Sequence, residues 1–238
     1  MKTVQQMRDR LRDHFDAAIM QTYAKTMLRG YKVPGDLYGP FVPYVFDEYS
    51  ASTVKLIIVG QQTWGWQPFK EALEKRMLFP ELQDYTKGFK LGEQYRATPF
   101  WDFAHKLNAR LNPGNPLGFV WTNLAKLEQE NDLPGDPFMQ FVKTEFCLMF
   151  REIEVLEADA VVFLTGPDYD ELLFGQVYLN AKIDPLPLVP IEGFDARHFA
   201  KLANTPYKAF RCAHPKYLRL KGTFDATMDK LTEEIGGR

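Results

Sequence analysis

Cysteine is scarce in this chain. Only Cys147 and Cys212 occur among 238 residues, with no Cys-x-x-Cys spacing. That argues against a structural zinc or an iron–sulfur cluster built from this chain alone, and each thiol reads as a small buried apolar group. Histidine is equally sparse: His14, His105 and His198 stand isolated and suggest no metal site. No cofactor is expected. A Gly-x-Ser-x-Gly elbow is absent, which disfavours a typical serine hydrolase, and Gly166-Pro167-Asp168 lacks the Gly-Lys-Ser/Thr of a phosphate loop. No apolar run approaches the roughly 18 residues needed to span a bilayer. Met1 to Arg12 is charged and lacks the apolar stretch of a signal peptide. The expectation is a soluble, cytoplasmic, monomeric protein with no membrane partner.

Net charge is also small. Lys and Arg number 29 against 31 Asp and Glu, a balance of −2, whereas nucleic-acid binders often carry a basic excess. Local distribution differs from the total. Lys201 to Gly222 holds Lys201, Lys208, Arg211, Lys216, Arg219 and Lys221 with no acid among them. Such a run is either a solvated face or a basic rim.

What is abundant is apolar and aromatic: 45% hydrophobic residues and 14% Phe, Trp and Tyr. That suffices for a sizeable core in one domain over 1–238, with a helical extension at about 1–50. Residues 3–28 space Val4, Met7, Leu11, Phe15, Ile19, Tyr23 and Met27 as an amphipathic helix that Gly30 stops. Short apolar runs at 54–59, 118–122, 160–165 and 207–212 read as buried strands. Helices are expected at 68–78, 98–111, 137–156, 168–178 and 216–235. Residues 80–97 read as irregular, and 180–206 as a Pro-rich excursion with room for a hairpin. Alternating strands and helices predict an α/β fold, a three-layer α/β/α sandwich around a central, mostly parallel four-stranded sheet.

Two strand ends carry the most chemistry. The first runs Lys55-Leu56-Ile57-Ile58-Val59 into Gly60-Gln61-Gln62-Thr63-Trp64. The second runs Phe210-Arg211-Cys212 into Ala213-His214-Pro215-Lys216-Tyr217-Leu218. Ligands of open α/β sheets bind at the carboxyl ends of strands, so these ends can share a pocket. With Val120-Trp121-Thr122-Asn123 and Val161-Val162-Phe163-Leu164-Thr165-Gly166 between them, the order of segments resembles the uracil-DNA glycosylase superfamily over roughly 54–222. That family's motifs are Gly-Gln-Asp-Pro-Tyr after strand one, Asn after strand two and His-Pro-Ser-Pro-Leu after strand four.

The resemblance implies hydrolysis of the N-glycosidic bond of a uracil-type base flipped out of single- or double-stranded DNA. It implies His214 as the donor to a base carbonyl and Gln62 at the water-positioning place. Gln61, Asn123 and Trp64 would contact the base, Leu218 would wedge into the duplex beside Tyr217, and Lys216, Arg219 and Lys221 would meet phosphates. The same residues have plainer uses: His214 and Asn123 as caps, Gln61 as a turn residue, Tyr217 and Leu218 as helix packing. Gln62 replaces the family's Asp and has no proton to exchange near pH 7. Trp64 replaces a Tyr, and Lys216 and Tyr217 replace Ser and Pro. Tyr95, Phe100 and Trp101 are candidates for the aromatic that stacks on the base, and Glu71, Asp102 and Glu128 for a base. Three readings stand: a glycosylase, a catalytically silent nucleic-acid or nucleobase-binding module of the same fold, or an unrelated α/β protein.

Overall fold

The computed structural model describes residues 2–29, 36–75, 79–130, 148–181 and 187–237, and leaves aside the side chains of 25–29, 79–80 and 176–181. Six strands form one mixed sheet: β2 (Leu56–Gly60), β3 (Phe119–Asn123), β5 (Ala160–Phe163), β6 (Leu188–Pro190), β7 (Phe199–Leu202) and β8 (Lys208–Cys212). Their spatial order is β3-β2-β5-β8-β7-β6. The first four of these are parallel and correspond to the expected strands. The expectation of a four-stranded sheet is corrected: β7 and β6 extend it antiparallel at one edge. Both strands come from the Pro-rich excursion. A separate small pair joins β1 (Leu37–Tyr38) to β4 (Glu128–Gln129).

Helices cover both faces. Side chains of β2 alternate between them, with Ile57 and Val59 in one apolar cluster and Leu56 and Ile58 in the other. A strand buried on both faces must be apolar throughout, which is why these runs lack polar alternation. On the first face lie α1 (Val4–Arg29), α2 (Phe69–Glu74), α5 (Met149–Leu156) and α6 (Asp170–Ala181). On the second lie α4 (Pro99–Leu111), α7 (Pro215–Leu220) and α8 (Phe224–Gly236). The N-terminal helix is therefore part of a layer. Val4, Met7, Leu11, Phe15 and Ile19 are all buried, as their spacing predicts. Gly30 lies outside the described residues, as do 137–147 of the expected long helix and Cys147.

Two expectations about helices change. Residues 80–97 are not irregular: α3 (Phe79–Phe89) runs into a 3₁₀ stretch, Lys90–Tyr95. Its Gly92 sits at φ +64, and a Cβ there would strike the Trp101 ring, so only glycine fits against that indole. The last helix is two, because Gly222 at φ +68 breaks the chain between α7 and α8. No described helix is long and apolar enough to cross a membrane.

The chain leaves β2 to reach β3 on one side, then returns across it to β5. Between β2 and β5 the winding reverses, and a crevice opens at the carboxyl ends there.

Candidate active site

A cavity of about 620 Å³ lies at these strand ends, lined by Gln61, Gln62, Asn123 and His214 among others. The three sequence motifs thus meet in one chamber. Gly60 pairs in register with Asn123, and a Cβ at Gly60 would collide with Asn123 Oδ1. The glycine that ends β2 is what lets the amide lie across the cavity floor. Asn123 is 1% exposed; its Oδ1 accepts from Trp121 Nε1 at 3.2 Å, and its Nδ2 has no protein partner. A buried donor without an acceptor is unfavourable by about 1–3 kcal/mol.

His214 caps α7. Its Nδ1 accepts from the Lys216 backbone N–H at 3.2 Å, which assigns the proton of the neutral ring to Nε2. Burial, helped by the Lys216 charge, holds its pKa below the ordinary histidine value. The imidazole is neutral near pH 7 and presents one N–H donor. Phe100 supports it from behind, nearly parallel at 6.2 Å between centroids. The cap uses Nδ1 and leaves the opposite ring nitrogen out of it.

Gln61 lines the cavity and does not bond its own loop. Its Nε2 donates to Thr165 O at 2.9 Å, tying the end of β2 to the end of β5. The Gln62 side chain accepts from the Tyr169 hydroxyl, which fixes the amide at the cavity edge. No carboxylate lines the cavity among the described residues. Glu71 is exposed and ion-paired with Lys75. Asp102 pairs with Lys106 and Arg219 on the surface of α4. Glu128 is fully buried and holds the Gly65 and Trp66 amides at 2.7 and 3.2 Å.

That last contact shapes the turn that carries Trp64. With Gly65 at φ +71 and Glu128 gripping the turn, Trp66 swings inward while Trp64 stays 82% exposed at the rim. The place of Leu218 is corrected. It is 1% exposed and packed in the second apolar cluster, so it cannot enter a duplex; Leu220, 76% exposed, is the apolar residue that α7 leaves in solvent. Tyr217 is half-buried, its hydroxyl 3.2 Å from His198 Nε2.

The basic run is thinner than its sequence suggests. Arg211 is buried against Asp170, Lys208 caps carbonyls at the end of α8, and Arg219 is neutralised by Asp102 at 2.6 Å. Lys201, Lys216 and Lys221 remain exposed, with Lys216 on the cavity wall and Lys221 over the Tyr217 ring.

Tyr95, Phe100 and Trp101 all line the cavity. The sequence reading missed Trp66, Tyr85, Phe89 and Trp121, which complete its aromatic wall. Trp121 was discoverable: it stands two residues before Asn123 on one strand, and strand side chains two apart share a face. Tyr85 and Phe89 are four apart on α3, a spacing that carries meaning only once that segment is read as a helix. His198 was also missed. It lines a second cavity of about 310 Å³ with Asp168, Arg197 and Tyr217, and Gln61 and His214 form the wall between the two. Among the described residues no group of three or more His, Cys, Asp or Glu is placed to hold a metal ion.

No family model matches the sequence, and no curated protein matches it.

Proposed function

We propose that the chain is a glycosylase-like N-glycosyl hydrolase that takes a modified base, flipped out of DNA, into the larger cavity. The observation that supports this reading is the half-buried His214, held by its Nδ1 to the cap of α7 and lining the same chamber as Asn123. Breaking the bond between C1′ and the base nitrogen sends the electron pair into the base. Two fixed donors in an apolar chamber meet that charge as it develops, and one such donor typically contributes about 10²–10³ in rate. Water then adds to the cationic sugar carbon and gives up its proton, restoring a neutral sugar and a protonated base. The Gln62 amide accepts from Tyr169 and orients water without taking the proton. Lys216 and the exposed rings of Trp64, Tyr85 and Tyr95 around the mouth suit a phosphate backbone and unstacked neighbouring bases.

The test is release of free base from single- and double-stranded oligonucleotides carrying uracil, hypoxanthine, xanthine or 5-substituted pyrimidines. Wild type should release one of them, and His214→Ala should lose about 10²–10³ of that rate. Full activity in the variant would overturn the assigned role. One observation favours a second reading, the silent binding module: the absence of a carboxylate from the described cavity wall. It predicts salt-sensitive binding with no release from any of these substrates.

A further inference from the structure

We propose that His198, in the turn between β6 and β7, is a positioning residue for His214. The proposal concerns how the His214 loop is held, and only the kinetic arm of its test rests on the hydrolase reading.

The loop needs outside support. His214 caps α7, which is six residues long and is followed by Gly222 at φ +68. So short a helix is marginal by itself, because few backbone bonds offset the unfavourable first turn. Contacts from elsewhere must hold it. Leu218 anchors it in the second apolar cluster, and Arg219 pairs with Asp102 of α4 at 2.6 Å. The first turn, nearest His214, is held by His198.

Two contacts from this one residue bracket His214 along the chain. The His198 carbonyl accepts from the Ala213 N–H at 2.7 Å. Its Nε2 lies 3.2 Å from the Tyr217 hydroxyl, and the two rings pack at 4.8 Å between centroids. Tyr217 in turn donates its backbone N–H to His214 O at 2.8 Å. A displacement of Tyr217 therefore reaches His214 through one hydrogen bond. Lys216, whose N–H meets His214 Nδ1, is the residue beside it.

His198 is itself fixed. Its backbone N–H donates to Asp195 O at 2.8 Å, and the Asp195 carboxylate lies 3.6 Å from its Nε2. The buried Arg211 donates to Ala196 O at 3.0 Å and to Arg197 O, with its Nε 3.2 Å from Asp170. Arg211 lies on β8, the strand that delivers His214, so its guanidinium ties the turn to that strand. The antiparallel edge of the sheet thereby carries a brace for the imidazole.

The test reads the His214 ring nitrogens by NMR in the nitrogen-15-labelled full chain near pH 7, assigned by their loss in His214→Gln. In wild type the Lys216 N–H on Nδ1 keeps one neutral tautomer, so the two nitrogens should resonate far apart. His198→Phe keeps a ring against Tyr217 and removes the nitrogens; Tyr217→Phe removes the hydroxyl. Each should draw the two His214 signals together as tautomers mix, and the double variant should add nothing further. His198→Gln, which returns a polar group beside the hydroxyl, should recover most of the wild-type separation. In the base-release assay each Phe variant should lower kcat about three- to tenfold, the worth of one hydrogen bond, with KM unchanged. Wild-type His214 signals in His198→Phe, or additive effects in the double variant, would overturn the proposal. A chain that shows the coupled shifts and releases no base keeps this inference and loses the hydrolase reading. One that releases base at the wild-type rate in both Phe variants does the reverse.

Discussion

In the proposed reaction Gln62 takes the place of a carboxylate beside the attacking water, and its amide neither takes nor gives a proton near neutral pH. The Tyr169 hydroxyl holds that amide from the turn after β5. The same hydroxyl would donate to a carboxylate in its place. Gln62→Glu keeps the length of the side chain and adds a proton acceptor, and general-base assistance is typically worth about 10²–10⁴ in rate. The expected outcome is a faster single-turnover release of base, by about tenfold or more at pH 7. An unchanged or lower rate would mean that water activation does not limit the reaction. Around this position the sequence was informative about identity and silent about orientation. Gln61, Asn123 and His214 were all singled out and all reach the cavity. Which of Trp64 and Trp66 faces inward depends on the buried Glu128 carboxylate more than sixty residues away, and no local pattern records that contact.

At the scale of elements, strand β3 is locked to α5 by a buried cluster. Lys126 Nζ lies 2.7 and 2.8 Å from the two Glu152 oxygens, and Thr122 Oγ1 donates to Glu152 at 2.7 Å. Lys126 and Glu152 are 0% and 1% exposed. Replacing one partner strands the other charge in the core. Lys126→Met should therefore destabilise the fold by about 3–5 kcal/mol, while Lys126→Met with Glu152→Leu should recover most of that loss. Urea midpoints of the single and double variants test this; a single variant as stable as wild type would show that Glu152 is not held as an ion. The parallel strands were legible because burial on both faces forces continuous apolar runs. Strands β6 and β7 were only half legible. Lys201 faces solvent within β7, so the run lacks that signature, and Pro190 lies on the edge strand, where proline is tolerated. The 3₁₀ stretch after α3 was hidden because Leu91 and Gly92 take left-handed backbone angles, which interrupt any helical spacing.

Across the whole molecule, the segment that leads into the first helix is fastened to the C-terminal end of α5, in the same layer, chiefly at the Glu157 carboxylate. Glu157, at the left-handed C-terminus of α5, accepts from the Lys2 backbone N–H at 3.1 Å. It also pairs with Lys2 Nζ at 3.1 Å and Lys55 Nζ at 3.7 Å. The Lys2 hydrogen bonds, backbone first, lower its pKa from 4.5 to about 2. A carboxylate whose pKa is depressed by folding stabilises the native state above its unfolded value and loses that contribution as it takes up a proton. The contribution should be complete above pH 4.5 and fade as pH falls toward 2. Glu157 is 34% exposed, so solvent screening limits the effect to about 1 kcal/mol or less. Glu157→Gln should accordingly lower the melting temperature by a small, constant amount from pH 5 to 7. The gap to wild type should then close as pH drops through the window from 4.5 to 2. The variant removes only this titration, so subtracting the two melting curves isolates it from every other acid-sensitive group. A gap that persisted at the acid end would place the stabilisation in packing of α1 rather than in the charge of Glu157.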